Sequence, residues 1–254
     1  MAWREENDVS LAETDVTREK YYQSYWQHPQ FENCTYVNWK AELTRNHPRV
    51  KSCVALLDVG CGGGAILSAI ARPDMRLCGI EVSPEAVRAV IDRGFEGSVA
   101  DLEEGKLPYA SDSFDVVLCY DVFEHLFAPE GLLREIRRVL KDGGVALLCV
   151  PNTLNAFNRL VFALGDYVDI MDTSHRTSEL FSNHIRLFSK ALFERFLASA
   201  SFRSIEKHFY FPEEFTDSRF RLPSSLAKLV RGPGLHRRLP SLFALGFLYV
   251  CVKA

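Results

Sequence analysis

Three side chains that can bind protons or metal ions lie close together in the segment DVFEH at 121–125, namely Asp121, Glu124 and His125. Their spacing puts all three on one face if the segment forms a helical turn. An imidazole or a carboxylate in such a place can take a proton from a substrate hydroxyl group. Two carboxylates and an imidazole can instead hold a divalent cation such as Mg²⁺, Mn²⁺ or Zn²⁺. In a third interpretation the segment packs locally and only its backbone touches a ligand. The residue types and their spacing do not decide among these three interpretations.

A further histidine, His184, lies in the segment NHIRLFS at 183–189, ahead of a predicted helix over 190–198. The pKa of an imidazole is near neutrality, so the group can serve as a base or as a metal ligand. His184 is therefore a candidate catalytic base or fourth metal ligand, and its alternative role is a structural hydrogen bond.

A glycine-rich turn, LDVGCGGG at 57–64, follows a short apolar run that predicts a buried parallel strand over 53–57. The apolar positions after the turn have helical spacing, which predicts a strand, a tight turn and a helix in that order. Glycines at such a turn let a ligand lie directly against the backbone, where the amide groups of the helix N-terminus point toward it. The turn also fits the dinucleotide pattern G-x-G-x-x-G/A. Asp58, two residues before the first glycine, favours a cationic ligand over a pyrophosphate.

The turn resembles motif I of the class I S-adenosylmethionine-dependent methyltransferases, which has the usual form (L/V)LD(V/I)GCGxG. Other passages stand in the order typical of that family: Glu81 at the end of the second predicted strand, LPY and SFD before the fourth, and LKDGG and PN around the fifth. The DVFEH segment is similar to the E-x-x-E-H motif of the ubiquinone-biosynthesis O-methyltransferases and the small-RNA 2′-O-methyltransferases, in which it can hold a divalent metal. In this chain Asp121 takes the position of the first glutamate. Positions 151–152, His184 and 239–243 are also similar to methyltransferase-like proteins linked to methionine biosynthesis.

The resemblance implies that the chain binds S-adenosylmethionine and transfers its sulfonium methyl group by in-line displacement. It implies these cofactor-binding residues: Asp58, Gly60, Cys61, Gly62, Glu81, Val82, Asp101, Leu102 and Tyr120. In that arrangement Glu81 accepts hydrogen bonds from both ribose hydroxyls, while the Asp101 side chain and the Leu102 amide meet the adenine. The candidate catalytic residues are His125, His184 and Glu124, and the candidate metal ligands are Asp121, Glu124 and His125.

Strands and helices alternate along the chain, which predicts an α/β fold with a doubly wound, mostly parallel sheet. After the first strand, further strands are predicted over 76–81, 97–100, 114–120, 145–150, 202–210 and 247–252. Helices are predicted over 16–26, 36–45, 130–140 and 190–198, and the glycines at 143–144 are expected to end the third of these. The family topology makes this a seven-stranded Rossmann-like sheet with an antiparallel last strand. The predicted domains are a helical cover over 1–49 and a methyltransferase domain over 50–254, in which the insertion at 153–183 is a helical lid over the acceptor.

The chain has 254 residues, of which 47% are apolar, as expected for one α/β domain. Its net charge of −3 implies no general electrostatic attraction to nucleic acid. The polar N-terminus and the short apolar runs predict neither a signal peptide nor a membrane span, and hence a cytoplasmic protein. The seven cysteines include no C-x-x-C pair and are expected to be mostly core thiols. The basic stretch 219–240 has two interpretations. It either contacts an anionic lipid surface or an anionic substrate, or it forms a solvated basic cap.

Three functions follow from the sequence. The favoured one is methylation of a small-molecule acceptor, most simply at oxygen, although an amine acceptor stays open because it needs no strong base. The second is RNA 2′-O-methylation with a divalent metal, against which the negative net charge argues. The third is binding of the cofactor without methyl transfer.

Overall fold

The structure is a computed structural model that describes residues 35–164, 184–211 and 234–254. Its strands are β1 (Ala55–Val59), β2 (Arg76–Glu81), β3 (Glu96–Val99), β4 (Phe114–Tyr120), β5 (Leu140–Pro151), β6 (Phe202–Tyr210) and β7 (Gly246–Lys253). Its helices are α1 (Thr35–Asn46), α2 (Pro48–Ser52), α3 (Ala65–Ile70), α4 (Pro84–Asp92), α5 (Pro129–Val139), α6 (Ala156–Ala163), α7 (Lys190–Ser199), α8 (Leu235–Arg238) and α9 (Pro240–Phe243). Two 3₁₀ turns cover Leu102–Glu104 and Phe123–His125.

The strands form a seven-stranded sheet in the order β3-β2-β1-β4-β5-β7-β6. The pairs from β3 to β5 are parallel, and β7 runs antiparallel to both β5 and β6. This confirms the predicted α/β sheet and its antiparallel last strand. The strand order reverses between β1 and β4, and in such sheets ligands bind at this switch point, outside the carboxyl ends of the strands.

Buried apolar side chains cover both faces of the sheet. Successive residues of a strand point to opposite faces, so Leu57 packs in one cluster with Ile136 of α5, while Leu56 packs in the other with Leu67 of α3. All five residues of β1 are buried, Asp58 included. A strand covered by helices on both sides must be almost continuously apolar, which is why the apolar runs located the central strands.

The predicted bounds of β2, β4 and β6 are confirmed. The predicted start of the first strand was wrong by two residues, because Cys53 is the C-cap of α2 and its amide donates to the carbonyl of Val50. The strand starts at Ala55 and runs to Val59.

The expectation that glycines end α5 was also wrong. The helix ends at Val139, and its C-cap Leu140 already has extended backbone angles. Leu140 pairs with Phe114 of β4, so the chain passes from helix to strand without a loop. Gly143, with a φ of 76°, lies inside β5, beside an irregularity in its pairing with β4.

Helix α1 confirms the helix predicted over 36–45. Two contacts hold it at the carboxyl end of the sheet. The Thr44 hydroxyl lies 2.7 Å from the hydroxyl of Tyr120 at the end of β4, and the ring of Trp39 lies 5.4 Å from that of Tyr210 at the end of β6. The N-terminal helix is therefore anchored beside the switch point.

Several predicted segments lie outside the described residues. These are the helix over 16–26, the part of the insertion at 165–183 and the part of the basic stretch at 219–233. Helix α6 lies in the first part of the insertion, α8 lies within the basic stretch, and α9 begins at its last residue. Among the described residues, no helix has the length and apolar character needed to cross a membrane.

The described part of the chain contains six cysteines, all of them buried free thiols: Cys53, Cys61, Cys78, Cys119, Cys149 and Cys251. The prediction of core thiols is confirmed for five of them, Cys53, Cys78, Cys119, Cys149 and Cys251, and Cys61, predicted as a cofactor-binding residue, is buried as well.

Candidate active site

The predicted strand, glycine turn and helix are β1, the turn at 60–64 and α3. Gly60, Gly62 and Gly64 have φ values of 72°, 52° and 81°, in the region that disfavours residues with a side chain. A Cβ on Gly60 would also lie 2.3 Å from Cγ2 of Val122. The turn therefore requires glycine, and its backbone is bare at the switch point between β1 and β4.

Two buried carboxylates stand beside this turn. Asp58 is 3% exposed and Glu81, at the end of β2, is 5% exposed. Glu81 accepts hydrogen bonds from the amides of Gly62 at 3.1 Å and Val82 at 2.8 Å. Burial raises the pKa of both carboxyl groups, that of Asp58 to about 7, with an opposing effect of Lys40. This edge of the sheet therefore favours a ligand that carries positive charge and hydroxyl donors.

The other predicted cofactor residues also lie at this edge. Asp101 follows β3 and caps the 3₁₀ turn that begins with Leu102, with its Oδ1 2.9 Å from the amide of Glu103. Tyr120 ends β4 and is buried. Cys61 is buried too, and burial raises the pKa of its thiol. Its Sγ would lie only 2.6 Å from a Cβ on Gly79, so the cysteine side chain packs against β2 in the core.

A buried lysine that the sequence analysis missed, Lys40 of α1, reaches this site. Its Nζ forms an ion pair with Oδ2 of Asp121 and lies 5.9 Å from the centre of the Tyr120 ring. Among the described residues, Lys40 is the one lysine or arginine that is buried, at 7% exposure. In the sequence it resembles an ordinary cation of a solvated helix face, so no spacing or motif marks it.

Asp121 is the first residue after β4 and has a φ of 54°. Aspartate tolerates this left-handed conformation better than most residues. Its amide donates to the carbonyl of Cys149 at 3.0 Å, and the chain then enters the 3₁₀ turn Phe123–His125. Because Asp121 precedes that turn, its carboxylate contacts Lys40, whereas Glu124 and His125 meet a different residue, His184.

Glu124, His125 and His184 form a cluster in which one ligand atom from each lies within 4.8 Å of the others. Oε1 of Glu124 is 3.7 Å from Nε2 of His184 and 4.0 Å from Nε2 of His125. The centres of the two imidazole rings are 4.9 Å apart. The three candidate catalytic residues therefore lie together in the structure. Of the predicted metal ligands, Glu124 and His125 belong to this cluster, and its third member is His184 instead of Asp121.

Glu124 is fully buried, and within the described part of the chain its two carboxylate oxygens and Nδ1 of His184 have no hydrogen-bond partner. Burial raises the pKa of Glu124 well above its usual range, and the nearby Asp121 adds to the rise. Burial, together with the nearby His125, lowers the pKa of His184 to about 3. Buried polar atoms in proteins are almost always satisfied. One carboxylate and two imidazoles, with unsatisfied buried atoms on Glu124 and His184, fit a divalent cation of the Mn²⁺ or Zn²⁺ kind.

Arg186 fixes the position of His184 over the 3₁₀ turn. Its amide donates to the Glu124 carbonyl at 3.1 Å, and its Nε donates to the Leu126 carbonyl at 2.9 Å. Its guanidinium also donates to the carbonyl of Phe127. These bonds join two segments that are distant in the sequence and set the geometry of the cluster.

The family model described as "Methyltransferase domain" matches residues 57–148. A ubiquinone biosynthesis O-methyltransferase of Xanthomonas oryzae pv. oryzae is 32% identical over an alignment of 118 residues that covers 44% of this chain and 49% of that protein. The same enzyme of Xanthomonas campestris pv. campestris is 31% identical, with the same coverage of 44% and 49%. The chain thus spans about half the length of the curated relatives it matches.

Among solved structures, a SAM dependent methyltransferase from Archaeoglobus fulgidus matches with a TM-score of 0.63 and 18% identity, over 92% of this chain and 100% of that one. The [4+2]-cyclase SpnF matches with a TM-score of 0.57 and 20% identity, over 85% of this chain and 81% of that one. Phosphoethanolamine N-methyltransferase 2 of Haemonchus contortus, in complex with S-adenosyl-L-methionine, matches with a TM-score of 0.53 and 19% identity, over 86% of this chain and 52% of that one. At such identities these likenesses establish the shared fold.

Proposed function

We propose that this chain, which is a class I S-adenosylmethionine-dependent methyltransferase by motif, domain and fold, methylates an oxygen atom of a small molecule. The observation that carries the proposal is the position of the Glu124–His125–His184 cluster. Glu124 and His125 come directly after β4, and β4 is the neighbour in the sheet of β1, which contains Asp58 and leads into the glycine turn. The relatives named for O-methylation support oxygen as the acceptor. The compared proteins give no support to the RNA alternative.

The residues around the turn account for each part of the cofactor. Glu81 offers two carboxylate oxygens to the ribose hydroxyls, and the bare backbone at Gly60 admits the methionine part. Asp58 supplies negative charge near the sulfonium and ammonium groups. Lys40 supplies the buried positive charge that a methionine carboxylate needs. Asp101 and the Leu102 amide remain the proposed adenine partners.

The transfer itself is an in-line displacement at the methyl carbon. The acceptor oxygen forms the new bond as the carbon–sulfur bond breaks, and the sulfonium becomes a neutral thioether. The protein contributes alignment of the acceptor and removal of its proton. Among the two histidines, His125 is the proposed base, since its side chain is 16% exposed and the lowered pKa of His184 makes that imidazole a weak one.

Glu124, His125 and His184 are the residues that would hold a divalent cation. When bound, such a cation lowers the pKa of a coordinated hydroxyl group. In that case His125 acts as a ligand, and the acceptor that suits the cluster best has two neighbouring oxygens.

The test is calorimetric titration of the purified chain with S-adenosylmethionine and S-adenosylhomocysteine, in EDTA and with added Mn²⁺. It is followed by transfer of labelled methyl groups to a panel of catechols, phenols and amines. We expect both nucleotides to bind, and the double variant Glu124→Ala/His125→Ala to keep that binding and lose transfer. His208→Ala is the matched control, because His208 lies on β6 and pairs with Glu206 at the surface. Failure of either nucleotide to bind would overturn the proposal.

A second candidate function, cofactor binding without methyl transfer, is favoured by one comparison. The [4+2]-cyclase SpnF shares the fold, so the fold alone does not fix the chemistry. That candidate would be favoured if the chain binds the nucleotides but transfers methyl groups to no acceptor class of the panel, and if the Glu124 and His125 substitutions leave nucleotide binding unchanged.

A further inference from the structure

A groove of about 570 Å³ lies between the segment at 185–188, helix α7 and the first turn of α5. This volume is within the range of pockets that bind small molecules. Among the described residues, its lining contains none of the candidate cofactor-binding or catalytic residues. We propose that the groove binds a single amphipathic anion, an apolar chain that ends in a carboxylate, as in the anion of a medium-chain fatty acid.

The apolar part of the groove combines buried and exposed side chains. Phe188 and Phe196 are buried, whereas Ile185, Leu187 and Leu192 are exposed to solvent. Single apolar side chains at a protein surface need no explanation, but several that share one groove indicate an interaction site. An apolar chain that covers them removes their surface from water, which favours binding. Because the two phenylalanines are buried in the lining, a single chain can reach them, whereas the flat surface of a bilayer cannot.

Two arginines give the groove positive charge. The guanidinium of Arg186 donates to the carbonyls of Leu126 and Phe127, which are uncharged groups. These bonds use two of the five N–H donors of an arginine and fix its orientation. Arg195 is exposed on α7 and lines the same groove. Among the described residues, no carboxylate forms an ion pair with either arginine.

The acidic member of the lining is Glu130, which lies in the first turn of α5. With two arginines and one glutamate, the lining carries an excess of one positive charge. A ligand carboxylate can form charge-assisted, bidentate hydrogen bonds with a guanidinium group. An ammonium group would instead be repelled by both arginines. The lining therefore favours a chain with an anionic end over a cationic or a neutral one.

A ligand in this groove would also restrain the segment that carries His184. His184 directly precedes the lining segment, and the amide of Arg186 donates to the carbonyl of Glu124 at 3.1 Å. We therefore expect an occupied groove to slow hydrogen exchange of the backbone at 184–188 as well as in α7. The inference does not depend on methyl transfer, so it can hold whether or not the proposed function does.

The experiment is calorimetric titration of the full chain with octanoate, decanoate, decanol, acetate and phosphatidylglycerol vesicles. Burial of a methylene group strengthens binding by up to about fourfold, so we expect decanoate to bind about tenfold more tightly than octanoate. Decanol lacks the charge, and we expect it to bind about fivefold more weakly than decanoate, since exposed ion pairs contribute up to about that factor. Acetate lacks the chain and should not bind. Hydrogen exchange with saturating decanoate should slow at 184–199 and stay unchanged in α4.

Two substitutions test the two parts of the ligand. Leu192→Glu puts a negative charge into the groove, and a glutamate there completes a capping box with Ser189, the N-cap of α7, so the helix stays stable. We expect it to weaken decanoate binding about tenfold or more. Arg195→Gln should weaken decanoate about fivefold and leave decanol unchanged. The matched controls are Ile91→Glu on α4 and Arg203→Gln on β6, exposed positions outside the groove, and both should bind decanoate like the wild type.

Four results would overturn the inference. Equal affinities for decanoate and decanol would remove the role of the arginines, and unchanged decanoate binding in both groove variants would place the ligand elsewhere. Binding of the vesicles without binding of monomeric decanoate would assign the surface to a lipid bilayer. Slowed exchange confined to the glycine turn would assign decanoate to the cofactor site.

Discussion

Nε2 of His184 lies 3.7 Å from Oε1 of Glu124, and both side chains are almost fully enclosed by protein. At this distance the two groups face each other without a hydrogen bond. Burial shifts the pKa of each toward its uncharged form, upward for Glu124 and downward for His184. Burial therefore favours the uncharged form of both groups, and a cation that enters between them would favour the ionised carboxylate instead.

The lowered pKa of His184 predicts a loss of stability in acid. The unfolded chain binds a proton on this histidine below about pH 6.5, whereas the folded chain resists protonation down to about pH 3. The free energy of unfolding should therefore fall as the pH drops from 6.5 toward 3, by a few kcal/mol for this residue. Urea unfolding of the wild type and of His184→Gln across this range measures the difference. Parallel pH profiles for the two proteins would contradict the assignment.

The raised pKa of Asp58 predicts that cofactor affinity depends on pH. The ionised carboxylate attracts the cationic cofactor, and Asp58 loses that charge below about pH 7. The affinity for S-adenosylmethionine should therefore rise with pH by up to about tenfold per unit below 7 and level off above it. Calorimetry between pH 5.5 and 8.5 measures the slope. Asp58→Asn should bind weakly with a flat profile, and an unchanged slope in that variant would assign the titration to another group.

The sequence could predict the elements whose cause is local. The bounds of β2, β4 and β6 follow from their apolar runs, and the glycine turn follows from its own pattern. It could not predict that β5 begins at Leu140, because the pairing of that residue with Phe114 overrides the helix-ending signal of the glycines.

The site shows the same division. Asp58 could be found from its position two residues before the first glycine of the turn, and Glu81 because it ends a predicted strand of a parallel sheet. The contact of Lys40 with Asp121 depends on how α1 docks, and no periodicity encodes that docking. The spacing of Asp121, Glu124 and His125 suggested a shared helical face, but the left-handed conformation of Asp121 turns its side chain toward α1.

The docking of α1 predicts a measurable coupling between Thr44 and Tyr120, whose hydroxyls are 2.7 Å apart in a buried setting. A hydrogen bond of this kind contributes about 0.5–1.5 kcal/mol to stability. A double-mutant cycle of Thr44→Val and Tyr120→Phe by urea unfolding should give a coupling energy in that range. Additive effects of the two substitutions would mean that the hydroxyls do not interact in solution.

The glycine turn makes the sharpest prediction for stability. Gly60→Ala combines a φ of 72° with a Cβ only 2.3 Å from Cγ2 of Val122, so backbone strain and overpacking add. Each costs about 1–3 kcal/mol, and we expect a loss of about 3 kcal/mol or more in urea unfolding. Gly94→Ala is the matched control, because its φ of 87° brings the strain while no atom lies within 4 Å of its Cβ. Val122→Ala should recover part of the loss in Gly60→Ala and none in Gly94→Ala, since it removes the clash but not the strain. Equal losses in the two glycine variants would show that Val122 moves aside at no cost.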